Sequence, residues 1–516
     1  MKPAERIVFN TGVLYMRLLF VMAIGLFTTR IVLDALGETN YGIYTLVAGV
    51  VGMLAILQSA MSTTSLRYMS HSLGSGDEEQ ISRTFNTTLF LHILIGVAIV
   101  AFIEIGGYFM FKYFLEIPPE KVFDAKVVFH LMALTTFISI IAVPYDAVIN
   151  SHENLLALSV VDIFGAVLKL GLAFYLLFSK LNLLILYGAG IFSVQVILRL
   201  IKQQYSIRKY KECWLNLKNA LDKKLSKEIM AFTGWNLFGS VAAMSVKQVR
   251  SVFLNMFFGV YVNASEGVAK RGSSHVNMVS VNLTRAINPL LIKTEGGGDR
   301  LKMLKITSIS TKFSVFLFAL FAIPVIIELP FLYDVWLKKV PEYAVIFTRL
   351  TLIGLLINKF TFEITTAIRA VGRIKEFQVT ETIIIVMNLP VSYFLFKAGY
   401  PPETIYMVSI LFSLITSVFR LYYGKKIAGL NIKRFIIETF VPSLLPIIVA
   451  STTGFLFIYF MEPGGLRFIL SSFFSLTGLI FTIRYFSLTD YELDKIKQII
   501  HSTKNRILLW RKKNNQ

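Results

Sequence analysis

Long apolar segments constrain the fold of this chain more than any other feature of its sequence. The chain has 516 residues, of which 55% are hydrophobic, and its mean hydropathy is +0.65. The apolar residues come in blocks of about 20, the length that an α-helix needs to cross ~30 Å of hydrocarbon. Fourteen such blocks predict fourteen transmembrane helices, at residues 10–33, 43–66, 85–111, 127–149, 155–178, 183–201, 230–258, 263–290, 306–327, 343–368, 378–397, 404–423, 436–460 and 466–486.

The distribution of charge predicts how these helices are oriented. The formal net charge is +21, and most of the 52 Lys and Arg residues fall in loops on one side if the N-terminus is cytoplasmic. The positive-inside rule then places both termini in the cytoplasm and explains the basic charge without nucleic-acid binding. Arg17 interrupts the first apolar block, which has no small-residue cleavage site, so we expect a retained helix. The single cysteine, Cys213, excludes a disulfide framework.

An offset of 222 residues relates the two halves of the chain. It aligns Gly37 with Gly259, and "SLGSGD" (residues 72–77) with "TEGGGD" (residues 294–299). Six spans per half is an even number, so the repeats are predicted to be parallel, an arrangement in which transporters place substrate between the halves. The predicted segments are an N-terminal six-helix lobe (1–205), a basic cytoplasmic linker (206–228), a C-terminal six-helix lobe (229–425), transmembrane helices 13 and 14 (426–486) and a basic cytoplasmic tail (487–516).

Two cations lie one helical turn apart inside the seventh predicted span. Lys247 and Arg250 occur in "SVKQVRSVF", with no acidic residue within ten positions on either side. Each costs ~2.5–3.5 kcal/mol at mid-bilayer if it faces lipid. On a helical wheel they share a polar stripe with Asn236 and Ser240. The stripe is therefore predicted to face the protein interior or water.

Other spans carry charged residues of the same kind. The fifth span has Asp162 and Lys169 on one face, and the first aligns Arg17 with Asn10 and Thr28. We predict a cationic substrate cavity built from Lys247, Arg250, Arg17, Lys270, Arg271 and Arg285. Candidate coupling carboxylates are Asp162, Glu266 and Glu104.

Some charged and proline residues within spans have simpler explanations. Lys359 and Glu363 are four residues apart and are expected to form a local ion pair. Arg30 and Arg349 lie near span ends, where long side chains extend toward the membrane surface. Prolines in or near the ends of spans are predicted to bend their helices, namely Pro144, Pro324 and Pro390.

The sequence contains no signature of an enzyme. It has no P-loop, no His residues at metal-ligand spacing, no local Ser/His/Asp motif and no large outer loop. We therefore expect a transport protein without a cofactor, with proton or sodium coupling left open.

Several segments in order along the chain resemble those of a known family. These include "RIVLDALGETNYGIYTLVAG" (residues 30–49), "VPYDAVINSHENLLALSVVDIFGAVLKL" (residues 143–170) and "NMFFGVYVNASEGVA" (residues 255–269). The chain resembles bacterial polysaccharide transporters, the O-antigen-type oligosaccharide-lipid flippases of the multidrug/oligosaccharidyl-lipid/polysaccharide exporter superfamily. The eighth span departs from the family pattern because it is more polar, with Glu266, Lys270, Arg271 and His275 close together.

The resemblance implies a fold, a substrate and a location. The fold is all-α and polytopic, with two six-helix lobes around a central cavity and two C-terminal helices. The substrate is undecaprenyl-pyrophosphate-linked oligosaccharide, carried by alternating access from the inner to the outer leaflet of the bacterial cytoplasmic (inner) membrane for surface polysaccharides such as lipopolysaccharide. Implied partners are this lipid-linked oligosaccharide, membrane lipids, and glycan polymerase and chain-length proteins. Alternatives are a multidrug/cation antiporter of the same superfamily, a membrane glycosyltransferase or polymerase, and a peptidoglycan-precursor flippase.

Overall fold

Helices account for every regular element that the structure describes. The computed structural model describes residues 3–52, 55–113, 117–216, 222–337, 340–490 and 492–494. The α-helices of this part of the chain are α1 (Pro3–Gly52), α2 (Ala55–Ser75), α3 (Glu78–Tyr113), α4 (Val122–Ser151), α5 (Leu155–Phe178), α6 (Leu183–Lys209), α7 (Lys223–Phe258), α8 (Val260–Gly296), α9 (Arg300–Trp336), α10 (Ala344–Val371), α11 (Lys375–Lys397), α12 (Thr404–Tyr423), α13 (Ile432–Phe435), α14 (Val441–Phe460) and α15 (Gly465–Thr482).

Twelve helices within the described ranges are long and apolar enough to cross a membrane. The predicted all-α polytopic membrane fold is therefore confirmed. The second and eighth predicted spans, 43–66 and 263–290, are not among these twelve. The second is divided between the end of α1 and the start of α2. The eighth is a continuous helix of 37 residues, long enough to span, whose many polar side chains lower its hydropathy.

The helix boundaries repeat at the offset found in the sequence. Helix α9 begins 222 residues after α3, and an aspartate precedes the first residue of each helix. The left-handed backbone conformation also recurs, with φ of 70° at Gly37 and 82° at Gly259, and 74° at Gly76 and 79° at Gly298. Glycine adopts this conformation without the steric cost that a Cβ atom imposes. The repeat therefore extends from sequence to backbone geometry.

The described chain divides into two compact units. The N unit comprises residues 10–237 and 292–298, and the C unit comprises residues 3–9, 238–291 and the described residues from 299 onward. The N unit has buried aromatic side chains such as Phe85, Phe129 and Tyr145 in its core. Phe316 and Phe360 belong to a core cluster of the C unit. The lobe boundaries expected from sequence, 1–205 and 229–425, stay predictions.

Helix α9 is interrupted at Glu328, between two prolines at positions 324 and 330. Pro330 has no N–H to donate to the carbonyl oxygen of Ile326, one turn earlier. Arg349 of α10 donates to that oxygen instead, with Nε at 2.9 Å, and its Nη2 lies 3.3 Å from the carbonyl oxygen of Ile327. The guanidinium of Arg349 thus satisfies backbone acceptors that the break leaves without a donor, and its expected extension toward the membrane surface stays a prediction.

Buried ion pairs attach the last helices to α9. Glu328 accepts hydrogen bonds from Arg467 (Nη2 at 3.0 Å) and from the Ser471 hydroxyl at 2.9 Å. Lys312 pairs with Glu492 at 3.0 Å, and all four charged side chains are at most 7% exposed. Because each charge has a partner, these pairs fix α15 and the segment after it without an uncompensated buried charge.

Candidate functional site

A cavity of about 530 Å³ lies within the N unit. This volume falls in the ~300–1,000 Å³ range of small-molecule sites. Its lining follows helical periodicity, because residues three, four and seven positions apart share a helix face. The lining residues are Arg17, Val21, Ile24, Gly25, Thr28 and Thr29 on α1, Gln58 on α2, Ser139, Ala142 and Asp146 on α4, Asp162, Gly165, Ala166 and Lys169 on α5, and Tyr187, Gln195, Leu198, Arg199 and Lys202 on α6.

Positive charge exceeds negative charge on the wall of this cavity. Four cations line it, and they are Arg17, Lys169, Arg199 and Lys202. Two carboxylates line it as well, those of Asp146 and Asp162. The wall therefore carries a formal surplus of two positive charges.

Ion pairs between helices involve half of these cations. Arg17 Nη1 lies 2.6 Å from Asp162 Oδ2, and Lys202 Nζ lies 2.8 Å from Asp146 Oδ1. Arg199 donates from Nη1 to the Gln203 side chain at 2.7 Å rather than to an acid. Lys169 is exposed and has no ion pair with any residue that the structure describes. Two cations thus remain without a carboxylate partner in this part of the chain.

Neutral hydrogen-bonding groups complete the cavity wall. Gln195 Nε2 donates to the Ser139 hydroxyl at 2.9 Å, which joins α6 to α4. The ring of Tyr187 packs on Tyr44 with centroids 4.6 Å apart. The wall therefore combines a cationic part with amides, hydroxyls and an aromatic ring.

A second group of charges lies in the C unit. Glu266, which is 2% exposed, accepts from Arg250 Nε at 3.2 Å and pairs with Lys270 Nζ at 3.0 Å. Lys270 also donates to the Ser251 hydroxyl at 2.8 Å. The guanidinium of Arg250 lies over the Tyr406 ring, 4.9 Å from its centroid. We call Lys247, Arg250, Glu266 and Lys270 the C-unit cluster.

Lys247 faces like charges in this cluster. Its electrostatic neighbours are Arg250 and Lys270, and no described residue forms an ion pair with it. The structure therefore brings together four residues that the sequence singled out. Two of the three cations pair with the one carboxylate, and Lys247 does not.

The remaining predicted site residues lie apart from these two groups. Arg271 and Arg285 are exposed on α8, and Arg285 is roughly 22 Å along the helix from Lys270 at 1.5 Å per residue. Glu104 pairs with His130 of α4 at 2.8 Å. Neither Glu104 nor the two arginines lines the N-unit cavity.

The expected ion pair between Lys359 and Glu363 does not form. Glu363 Oε1 instead accepts hydrogen bonds from Thr284 at 2.7 Å and Ser314 at 3.2 Å. Lys359 Nζ lies near the rings of Phe318 and Phe362, at 5.8 and 5.7 Å. The spacing of four residues would allow an ion pair within α10. The carboxylate instead accepts hydrogen bonds from hydroxyl groups of α8 and α9.

Sequence reasoning missed three charged residues of the cavity, Asp146, Arg199 and Lys202. The predicted sixth span ended at residue 201, whereas α6 continues to Lys209. Lys202 was therefore assigned to the loop side of the boundary. A signal was present, because Gln195, Arg199 and Lys202 follow the spacing of one helix face.

The segment after α6 is held against the N unit by polar contacts. His152 Nε2 lies 2.6 Å from Glu212 Oε1, and the His152 ring stacks on Tyr210 at 4.2 Å. Burial alone would raise the pKa of Glu212, but hydrogen bonds from His152 and the backbone lower it below its usual range. Burial, with the charge of Glu212, raises the pKa of the Cys213 thiol far above its ordinary value.

Among the described residues, no cluster of three or more His, Cys, Asp or Glu side chains is arranged to hold a metal ion. The candidate site in this part of the chain is thus one of charge pairs and hydrogen-bonding groups.

Comparison with known proteins adds a fold assignment. The MatE family profile matches residues 14–175, which include most of α1 and all of α2 to α4. No curated protein matches the chain significantly.

Solved structures match over most of the chain at low sequence identity. A MATE protein in the straight conformation has a TM-score of 0.71 at 13% identity, covering 84% of this chain and 98% of its own. An outward-facing multidrug resistance MATE family transporter of the MOP superfamily has 0.69 at 12%, covering 83% and 96%. A MOP superfamily transporter from Pyrococcus furiosus has 0.69 at 13%, covering 84% and 97%. The chain therefore shares the fold of these proteins.

Proposed function

We propose that this protein is an exporter of the MOP superfamily that moves a lipid-linked oligosaccharide with a pyrophosphate group from the inner to the outer leaflet of the bacterial inner membrane. The observation that carries the proposal is the N-unit cavity, whose wall holds four cations against two carboxylates. In the proposed topology both termini are cytoplasmic.

In this proposal, the cavity compensates the negative charge of the pyrophosphate. An anion cannot enter hydrocarbon without compensation, because its desolvation costs far more than a single contact returns. Guanidinium groups bind phosphate oxygens with short, charge-assisted hydrogen bonds. Arg17, Arg199, Lys169 and Lys202 are placed on three helices around one volume. With the cell interior negative, outward movement of each anionic charge also gains ~2.3 kcal/mol per 100 mV.

The neutral part of the wall suits the glycan. Sugars present many hydroxyls, and Gln58, Gln195 and Thr28 offer amide and hydroxyl partners. The ring of Tyr187 adds an aromatic surface. In this proposal the prenyl chain stays in the lipid and only the polar part of the substrate enters the cavity.

A multidrug antiporter is the second candidate, and the structural neighbours favour it. One of them is a multidrug resistance transporter of the MATE family. A cavity for cationic drugs would be expected to carry surplus acid, and the N-unit cavity carries surplus base. The Pyrococcus furiosus transporter is described as having a binding pocket of reverse polarity that suggests a different function. We propose an analogous change of substrate for this chain.

Lipid mass spectrometry on a strain depleted of this protein tests the proposal. We expect prenyl-pyrophosphate oligosaccharide to accumulate while surface polysaccharide disappears, with drug susceptibility unchanged. Normal lipid profiles together with raised drug susceptibility would establish the antiporter instead. Sugar transfer by the purified protein would support the glycosyltransferase alternative. Loss of viability with accumulated peptidoglycan precursor would support the peptidoglycan-precursor flippase.

Complementation of the depleted strain with variants tests whether the cavity residues are needed for export. We expect Arg17→Gln with Lys202→Gln to restore neither polymer nor a normal lipid profile. Lys426→Gln removes one positive charge outside the cavity, at an exposed pair with Glu376, and is expected to complement fully. Full complementation by the Arg17/Lys202 double variant at normal expression would remove the cavity from the mechanism.

A further inference from the structure

The ion pairs of the N-unit cavity are more accessible than the buried interhelical pairs of the C unit. The side chains of Asp146 and Asp162 are each 34% exposed, although the Asp146 oxygen that contacts Lys202 is itself buried. By contrast, the side chains of Glu328 and Glu381, paired with Arg467 and Arg420, are at most 8% exposed. The shielded pairs hold helices together. The cavity pairs place their carboxylates on the wall of an open volume.

A carboxylate offers a guanidinium or an ammonium the same kind of oxygen acceptor that a phosphate offers. In the cavity, Asp162 occupies Nη1 of Arg17, while Nε of the same guanidinium has no acceptor among the described residues. Asp146 likewise forms an ion pair with the ammonium group of Lys202. The two aspartates therefore stand where phosphate oxygens of an anionic substrate would bind.

We propose, building on the proposed function, that Asp146 and Asp162 are internal counter-ions that the pyrophosphate group displaces from Lys202 and Arg17. Displacement keeps both cations compensated before and after binding. It also weakens substrate binding, since each new contact replaces an existing one. The aspartates thereby set the affinity of the site and favour release of the substrate.

The counter-ion role fixes the direction of the change in affinity. A displaced carboxylate competes with the anion for its cation, so removal of the carboxylate should tighten anion binding. Unchanged or weaker binding would contradict the role.

The test measures binding of inorganic pyrophosphate to the purified full-length protein in detergent, by calorimetry at fixed ionic strength. We expect Asp162→Asn and Asp146→Asn each to lower Kd by about threefold to tenfold, and the double variant to combine the two effects. Asp162→Glu, which keeps the charge, should stay near wild type. Arg17→Gln and Lys202→Gln should raise Kd.

Glu376→Gln supplies the matched control. Glu376 lies on α11, outside the cavity, in an exposed pair with Lys426. The substitution removes one negative charge and should leave Kd unchanged. A misfolded variant loses binding, so it cannot imitate the expected gain. If wild type binds pyrophosphate but both asparagine variants bind equally or more weakly, the counter-ion role is overturned while the proposed function stands. If wild type and all variants fail to bind, the anion site and the proposed function fall together.

Discussion

Glu266 is the one carboxylate of the C-unit cluster, and two of the three cations of the cluster pair with it. It is almost fully buried and pairs with Arg250 and Lys270, whereas Lys247 contributes only like-charge repulsion to its neighbours. Loss of the Glu266 carboxylate should therefore lower the free energy of unfolding more than loss of Lys247, because it leaves two cations without a carboxylate partner.

We expect Glu266→Gln to destabilise the protein by ~1–3 kcal/mol. Lys247→Met keeps the apolar stem, removes the repelled charge and should leave stability unchanged or slightly raised. Thermal unfolding in detergent checks both variants. A larger loss for Lys247→Met than for Glu266→Gln would contradict the arrangement of charges in this cluster.

In the break of α9, a residue of a neighbouring helix replaces the hydrogen bond that a proline cannot donate. Arg349 donates to the Ile326 carbonyl that Pro330 leaves without a donor. The two residues should therefore be energetically coupled, as residues sharing one hydrogen-bond network are.

A double-mutant cycle measures that coupling. We expect Arg349→Ala to cost ~1–2 kcal/mol in the wild-type background, because the carbonyl oxygen of Ile326 loses its donor. In the Pro330→Ala background the same change should cost less, since the restored N–H bonds to Ile326. Thermal unfolding of the four proteins gives the coupling energy. Equal costs in both backgrounds would show that the guanidinium does not act through this carbonyl.

The segment after α6 supplies a built-in reporter of its own docking. Cys213 is the only cysteine of the chain, it is fully buried, and its raised pKa leaves little thiolate. Slow alkylation is expected, because the thiolate is the nucleophile. His152→Ala removes the partner of Glu212 and should increase the alkylation rate by about tenfold or more. His71→Ala serves as a control elsewhere in the N unit. Equal rates in wild type and His152→Ala would show that this pair does not hold the segment.

Docking of this segment should also depend on pH. The pKa of Glu212 is lower in the docked state than its ordinary 4.5, so the docked state is favoured above that pH. This contribution is lost as the pH falls through the lowered value. Hydrogen exchange of the amides of residues 210–214, corrected for intrinsic rates, should show protection falling below about pH 4.5. The same protection curve in Glu212→Gln would contradict the assignment.

Sequence reasoning succeeded where a feature depends on local periodicity and failed where it depends on packing. Hydropathy located the helices, and wheel geometry placed Asp162 and Lys169 on one face, which lines the cavity. Neither shows which helix supplies a partner. Glu363 therefore bonds to hydroxyls rather than to Lys359, and hydropathy did not indicate that Arg349 bonds to a carbonyl oxygen at the break in α9.

On the scale of the whole molecule, the repeat conserves backbone geometry but not charge. Gly25 and Thr28, which line the N-unit cavity, lie 222 residues before Lys247 and Arg250. Equivalent positions of α1 and α7 thus carry neutral groups in one unit and cations in the other. A duplicated fold can in this way place charge differently in its two halves while retaining the same helices.

Translocation in proteoliposomes shows directly whether this protein moves a lipid-linked oligosaccharide across a membrane. Purified protein would be reconstituted with lipid-linked oligosaccharide extracted from the depleted strain, and a membrane-impermeant glycosidase would report the fraction of glycan reaching the opposite leaflet. We expect wild type and Lys426→Gln to translocate the lipid, and Arg17→Gln with Lys202→Gln to lose most of the rate. Translocation at the rate of protein-free liposomes by correctly folded wild type would contradict the flippase account.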